Sequence, residues 1–464
     1  MRFIISETQE LQHQYGKWNL HYEGVEIYDG GDHLVIYQGY TIEQPIEELA
    51  PNFEKFRDAN GNFFAVKVTP DTVEVQLDYF NNHKIFYAEK YGQEWTNHLP
   101  WMIFNKNDIV RDSLYDEHKL REFTNHKTKT FFGHINSLLP DYDYIGDCRE
   151  AFNTTPKREE SELTEYIHEC MIDHTRVIKE KYPKRFISLS EGIDSALQSC
   201  YFKEDPQYIY AVTLCDAGVE GLHYKTLAAS NFDNVTFDTF DINRSKEFTL
   251  RYLKDSTTRF GDFLPTMMQI EDCEEKPDIV MYGANGDEMF VRDLAANILM
   301  VGLEVWDDNP RIIFDNVCEN LYNKRYQYGS RYSLGLLVEG SVDEYTLVWL
   351  SEKWFNKVRT QEDYKNQLLY WLTPKFYTRV ISQNNNVITA SLYNDRRIYH
   401  EVLKMDREYL TEKVMDCPIQ RKLLKEKFNY TFKTPYKDAL LADYDDINNN
   451  IFEATVLPLF KEYK

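Results

Sequence analysis

The chain has 464 residues, roughly two to three times the usual domain size, so two domains with separate cores are expected. With 42% apolar and 15% aromatic residues it carries enough buriable surface to fold, which excludes disorder for most of its length. Fifty-three basic against 76 acidic residues leave a formal charge of −23, which repels phosphate backbones and anionic lipid and argues against nucleic acid or a membrane surface as a partner.

The opening residues hold no apolar run long enough for a signal segment, and nowhere does an apolar stretch approach the ~20 residues that span a bilayer. A cytoplasmic protein is expected. Seven widely spaced cysteines without a C-x-x-C pair point to small buried hydrophobes rather than zinc or redox chemistry. The first part then reads as β-rich. Phe63 to Val68, Thr72 to Leu77 and Lys84 to Ala88 are β-branched and aromatic runs, separated by Pro70-Asp71 and Asn81-Asn82, a pattern that predicts an antiparallel meander.

From about Ser161 the texture changes. Leu163, Ile167, Cys170, Met171, His174 and Ile178 fall at helical spacing, and the helix must stop before Pro183. A strand at Arg185 to Leu189 runs into Ser190-Glu-Gly-Ile-Asp-Ser195 and a helix to about Phe202. Tyr208 to Leu214, Val235 to Phe240 and Asp278 to Gly283 read as further strands, with a helix near Leu222 to Ser230 between them. Such alternation predicts an α/β domain with a parallel sheet, and ligands in such sheets bind beyond the carboxyl ends of the strands.

Two polar motifs stand at those ends. In Ser188 to Ser199 a strand turns tightly into a helix, which offers backbone N–H groups and a positive dipole end to phosphate. Ser190 and Ser195 add hydroxyls, Gly192 allows close approach, and Asp194 is a candidate ligand for a magnesium ion riding on the phosphates. An ordinary capped helix start would look similar. The second motif, Tyr282 to Phe290, sets Gly283 and Gly286 before Asp287-Glu288, delivering carboxylates to the same sheet edge. Each motif alone reads as an N-capped helix; together they place two aspartates where one metal–triphosphate can meet both. No H-E-x-x-H, G-x-S-x-G or G-x-G-x-x-G occurs, and Lys225-Thr226 lacks the preceding glycine of a Walker loop and reads as part of a helix start.

Ser190-x-Gly192-x-Asp194-Ser195 resembles the S-G-G-x-D-S loop of ATP pyrophosphatases, and Gly283 to Phe290 resembles the G-x-G-x-D-E-x-F segment of asparagine synthetases. Weaker likenesses lie at Gly61 to Ala65, Asp78 to Tyr87, Leu138 to Tyr144 and Leu163 to Lys179. The resemblance implies a degenerate N-terminal-nucleophile-glutaminase-like α+β domain of antiparallel sheets at 1–125, a connector at 126–160, and an adenine nucleotide α-hydrolase-like domain at 161–464. It also implies AMP-forming amide ligation with ATP and Mg²⁺. Ser190, Gly192 and Ser195 would hold pyrophosphate with Gly283 and Gly286 beside them, Asp194 and Asp287 would hold the metal, and Val212 to Leu214 would meet adenine. Glu288, Arg421 and Lys422 would serve catalysis, with Arg421 standing where the family has a lysine.

Two further departures matter. Arg2 occupies the position of the family's nucleophilic cysteine and the first cysteine is Cys148, so ammonia or an amine replaces glutamine as the nitrogen source. Small-molecule or peptide carboxylates and amines are then the expected substrates, and the N-terminal domain is left as a packing or docking surface, toward a second copy or a partner protein. Glu191 replaces the first loop glycine; a carboxylate about 5 Å from pyrophosphate costs roughly 3 kcal/mol per facing charge at an effective dielectric of about 20, unless its side chain turns away. The alternative is a catalytically inactive protein that keeps the fold for a structural or binding role.

Overall fold

A computed structural model describes residues 1–80, 82–83, 85–103, 134–138, 156–212, 219–240, 264–283, 286–290, 387–405, 409 and 416–430. Its first half contains β1 (Arg2–Ser6), β2 (His13–Tyr15), β3 (Trp18–Glu23), β4 (Glu26–Asp29), β5 (Leu34–Thr41), the short helix α1 (Ile46–Leu49) and a 3₁₀ turn at Phe53–Asp58. There follow β6 (Gly61–Val68), β7 (Val73–Leu77), β8 (Phe86–Ala88), β9 (Glu94–Thr96) and β10 (Ile135–Ser137). They form two antiparallel sheets, ordered β10-β8-β9-β1-β3-β2 and β4-β5-β6-β7.

Strand β6 shows why the runs are so apolar here. Phe64, Val66 and Val68 join Phe3, Ile5, Trp18, Leu20 and Trp95 in one core, drawn from both sheets. Phe63 and Ala65 point the other way, onto Ile46, Leu49, Phe53 and Phe56 of α1 and the 3₁₀ turn. A strand covered on both faces needs apolar residues at every position, which hides its period of two.

The expected meander holds for β6 and β7, which pair antiparallel from Phe64↔Leu77 to Val68↔Val73. It breaks before β8, which belongs to the six-stranded sheet. The buried carboxylate of Asp78 explains the break. It accepts hydrogen bonds from Phe80 N (3.0 Å), Asn82 N (2.9 Å) and Asn82 Nδ2 (2.8 Å), and so turns the chain out of the sheet directly after β7. Strand β10 pairs with β8, so the antiparallel part reaches beyond residue 125.

The second half begins with α2 (Glu160–Lys181), whose Glu159 and Glu162 form a capping box and whose stripe Leu163, Ile167, Cys170, Met171, His174 and Ile178 is buried as its spacing predicts. Then come β11 (Arg185–Ser188), α3 (Ile193–Tyr201), β12 (Gln207–Val212), α4 (Val219–Ala229), β13 (Val235–Phe240), α5 (Leu264–Asp272), β14 (Ile279–Met281) and α6 (Gly286–Met289). Strand β15 (Ile388–Ala390), α7 (Arg396–Leu403) and α8 (Pro418–Glu426) complete the described elements. The five strands pair in parallel in the order β13-β12-β11-β14-β15. Helix α3 packs on β11, and α4 and α5 pack on β12.

Beside the core between its two sheets, the antiparallel part shares a second core with the parallel part. Tyr40, Ile42, Tyr79 and Phe80 of the antiparallel half lie in one buried cluster with Leu163, Ile167, Ile187, Leu197, Met281, Tyr393 and Tyr399 of the parallel half. Cys170, Cys200 and Cys417 are buried, and burial pushes the Cys170 and Cys200 thiols up to about 12, so both stay protonated as packing groups. No helix among the described residues is long and apolar enough to cross a membrane.

Candidate active site at the strand crossover

The strand order places β11 between β12 and β14, so the chain leaves β11 in one direction and returns on its other side at β14. The carboxyl ends of two such strands open a crevice that side chains and ligands can enter. The two polar motifs follow these two strands.

They are in contact. A Cβ added to Gly283 would lie 2.4 Å from Ser195 N, and one added to Gly286 would lie 2.4 Å from Asp194 Cγ and 2.6 Å from its Oδ1. Only glycine lets the second motif lie so closely on the first. Asp287 and Glu288 follow Gly286 on α6, and Ala284, Asn285 and Leu214 lie outside the described residues. Val212 ends β12, paired with Phe240 of β13.

Within the loop the serine hydroxyls brace one another. Ser190 Oγ lies 2.7 Å from Ser195 Oγ, which also accepts from Ser190 N (3.1 Å) and donates to Gly192 O (3.0 Å). Gly192 N donates to Ser190 Oγ at 3.2 Å. These bonds engage the Ser190 and Gly192 N–H groups within the loop, and an entering anion would compete with the serine hydroxyls for them.

Glu191 turns toward β12. Its carboxylate lies 4.0 Å from Lys225 Nζ of α4. Lys225 is buried, donates to Tyr210 O at 2.6 Å and stands 4.7 Å from the centre of the Tyr210 ring. Strand β11 pairs with β12 only as far as Ser188↔Tyr208, so the Tyr210 carbonyl beyond it is met by this lysine. The added loop carboxylate is thereby balanced by a positive charge rather than aimed at the crevice. Lys225 stands one turn before buried Ala228 on the inner face of α4, and a lysine at that position was the available signal of its role.

Helix α8 also reaches the loop, through Gln420. Its Nε2 lies 3.5 Å from Asp194 Oδ1, at the outer limit of a hydrogen bond. The two candidates beside it are placed differently. Arg421 is exposed and donates from Nε to Asp416 O at 2.7 Å, while Lys422 is half-buried. Tyr393, in the turn after β15, donates its hydroxyl to Asp194 O at 2.8 Å. Neither Gln420 nor Tyr393 sits in a local pattern that marks it in the sequence.

Among the described residues no group of three or more histidine, cysteine or carboxylate side chains is gathered for a metal. A magnesium ion carried by phosphates needs only one or two carboxylates, and half-buried Asp194 in the first turn of α3 fits that demand. No protein-family model and no curated protein matches the chain.

Proposed function

We propose that the chain is an AMP-forming amide ligase of the asparagine-synthetase type, which activates a carboxylate with ATP and joins it to ammonia or an amine. The observation that carries this reading is the close seating of Gly283 and Gly286 on Ser195 and Asp194 at the crossover between β11 and β14. Pairing of β11 with β14 brings the two motifs, 88 residues apart from Ser195 to Gly283, to one sheet edge, and the two glycines then let them close to contact, as a metal–triphosphate that meets both would require. In this reading the parallel half is an adenine nucleotide α-hydrolase-like domain and the antiparallel half a glutaminase-like domain without its nucleophile.

The chemistry is then a carboxylate attacking the α-phosphate of ATP, with pyrophosphate leaving, followed by attack of the nitrogen on the acyl-adenylate and loss of AMP. The loop residues Ser190, Gly192 and Ser195 hold the leaving pyrophosphate, and the N-terminal end of α3 faces its charge. Asp194 and Asp287 would hold Mg²⁺, which supplies charge neutralisation on the leaving group. Glu288 and Lys422 remain candidates for positioning the reacting groups. Incubating the chain with MgATP and a panel of carboxylates and amines should release pyrophosphate in a substrate-dependent manner, abolished by Asp194→Asn. Release with no partner dependence, or none with any pair, would overturn the ligase reading.

A binding role without turnover is the second reading. Arg421 favours it, since that side chain is exposed and tied to the start of its own helix.

A further inference from the structure

The turn after β15 is gripped from two sides. Toward the antiparallel half, Asn62 Nδ2 donates to Thr389 O (2.6 Å), Asn394 Nδ2 to Asn82 Oδ1 (2.7 Å) and Asn60 Nδ2 to Asp395 Oδ1 (2.9 Å). Arg396 N returns a bond to Asn60 Oδ1 at 3.1 Å. Toward the parallel half, Leu392 N donates to Gln198 Oε1 (3.0 Å) and Tyr393 OH to Asp194 O (2.8 Å). Asn60, Asn62, Asn82, Tyr393, Asn394, Asp395 and Gln198 are all buried. Asn82 is itself locked by Asp78, through its backbone and its side-chain amide.

Buried amide pairs have no water to exchange with, so they hold a fixed separation instead of a range of them. The chain of contacts therefore runs from Asp78 and Asn82, across Asn394, along one residue of backbone to Tyr393, and onto the carbonyl of Asp194. We propose that the antiparallel half is a positioning clamp for the Ser190–Ser195 loop, acting through Asn60, Asn82, the 391–395 turn and the Tyr393 hydroxyl. What the clamp serves rests on the nucleotide reading above: it holds the loop at the spacing from Gly283 and Gly286 that an entering phosphate requires. A glutaminase-like domain without a nucleophile thus keeps a task in the neighbouring site. Asn60, Asn82 and Tyr393 are positioning residues, since they act through Asp194.

Hydrogen exchange on the full chain, followed by mass spectrometry, tests the clamp without any ligand. Asn82→Ala cuts it at the far end, Tyr393→Phe removes one hydroxyl while keeping the ring, and Trp18→Phe loosens the core between the two antiparallel sheets, whose residues make none of these bonds, as a control. The peptide covering 188–198 should exchange at least tenfold faster in the first two and as in wild type in the third. In the same two variants MgATP should bind about tenfold more weakly, and in the control within twofold. Unchanged exchange at 188–198 in Tyr393→Phe, or equal acceleration in Trp18→Phe, would overturn the clamp. A wild-type chain that binds no MgATP counts against the nucleotide reading alone, because the exchange pattern still decides the clamp.

Discussion

Glu191 and Lys225 form a charge pair beside the loop, and their order of removal should reveal its purpose. Lys225→Met takes the cation from a largely buried carboxylate and leaves negative charge next to the proposed phosphate path. If the released carboxylate swings back to face phosphate, at roughly 3 kcal/mol per facing charge, MgATP affinity under the proposed function should fall by up to about a hundredfold. Glu191→Gly removes the carboxylate and leaves Lys225 to attract phosphate, so affinity should stay within a few-fold of wild type or rise slightly. The double variant should recover most of the loss, because the two changes are coupled through contact. Calorimetric titration of the four proteins at one salt concentration checks this; a double variant as weak as Lys225→Met would make the lysine a direct phosphate ligand rather than a counter-charge.

At the scale of elements, α8 is the one whose sequence and placement differ most in what they suggest. Its start is unusual: Cys417 lies in the left-handed region at φ 54°, directly before Pro418, and it is fully buried. The helix that leaves this cramped start turns Gln420 to Asp194 and Arg421 to the surface. Arg421→Ala is therefore expected to change MgATP affinity less than threefold, and Gln420→Leu to weaken it at least tenfold while leaving Tm within a few degrees. The reverse order in a binding assay would return the catalytic role to Arg421.

The same helix shows how far the sequence could be read. Elements with a clear period or a strong boundary were legible: the stripe of α2, the β11 turn into α3, and the glycines at 283 and 286. Strands β2, β9, β10 and β15 have three residues each, too few for a period, and β15 is bounded by Asn384-Asn385-Asn386, which reads as loop; β8 and β14 are as short, but the apolar runs Lys84 to Ala88 and Asp278 to Gly283 around them gave them away. The partners of Asp194 were illegible for a different reason. Tyr393 and Gln420 come to it over 199 and 226 residues, and nothing in their local surroundings encodes the meeting.

Across the whole molecule the junction between the halves should be acid-sensitive. His174 of α2 is fully buried and bonded to Tyr40 OH at 2.7 Å, and burial lowers its pKa from 6.5 to about 4. The unfolded chain then binds the proton first, so the contribution of neutral His174 is complete above about pH 6.5 and is lost as pH falls toward about 4. A shift of that size corresponds to roughly 3 kcal/mol. Urea midpoints measured at pH 7 and pH 4.5 should differ more for wild type than for His174→Gln, which carries no ionisable ring; equal differences would show that other groups, such as the carboxylates or His98 and His400, whose pKa values burial also lowers, set the acid limit.

The shared core has a consequence for how the protein is made. A ribosome releases Tyr40, Ile42, Tyr79 and Phe80 well before the groups that pack on them, His174 and Tyr182 on Tyr40 and Tyr399 on Tyr79 and Phe80, have been synthesised. For that interval the nascent antiparallel half displays an aromatic face and a row of buried-type amides to the cell, with Asn60, Asn62 and Asn82 still waiting for the last quarter of the chain. Such a half-made surface is what holding chaperones recognise, and it cannot be completed by local folding. The junction between the two parts is complete only once residues 388–405 have been made.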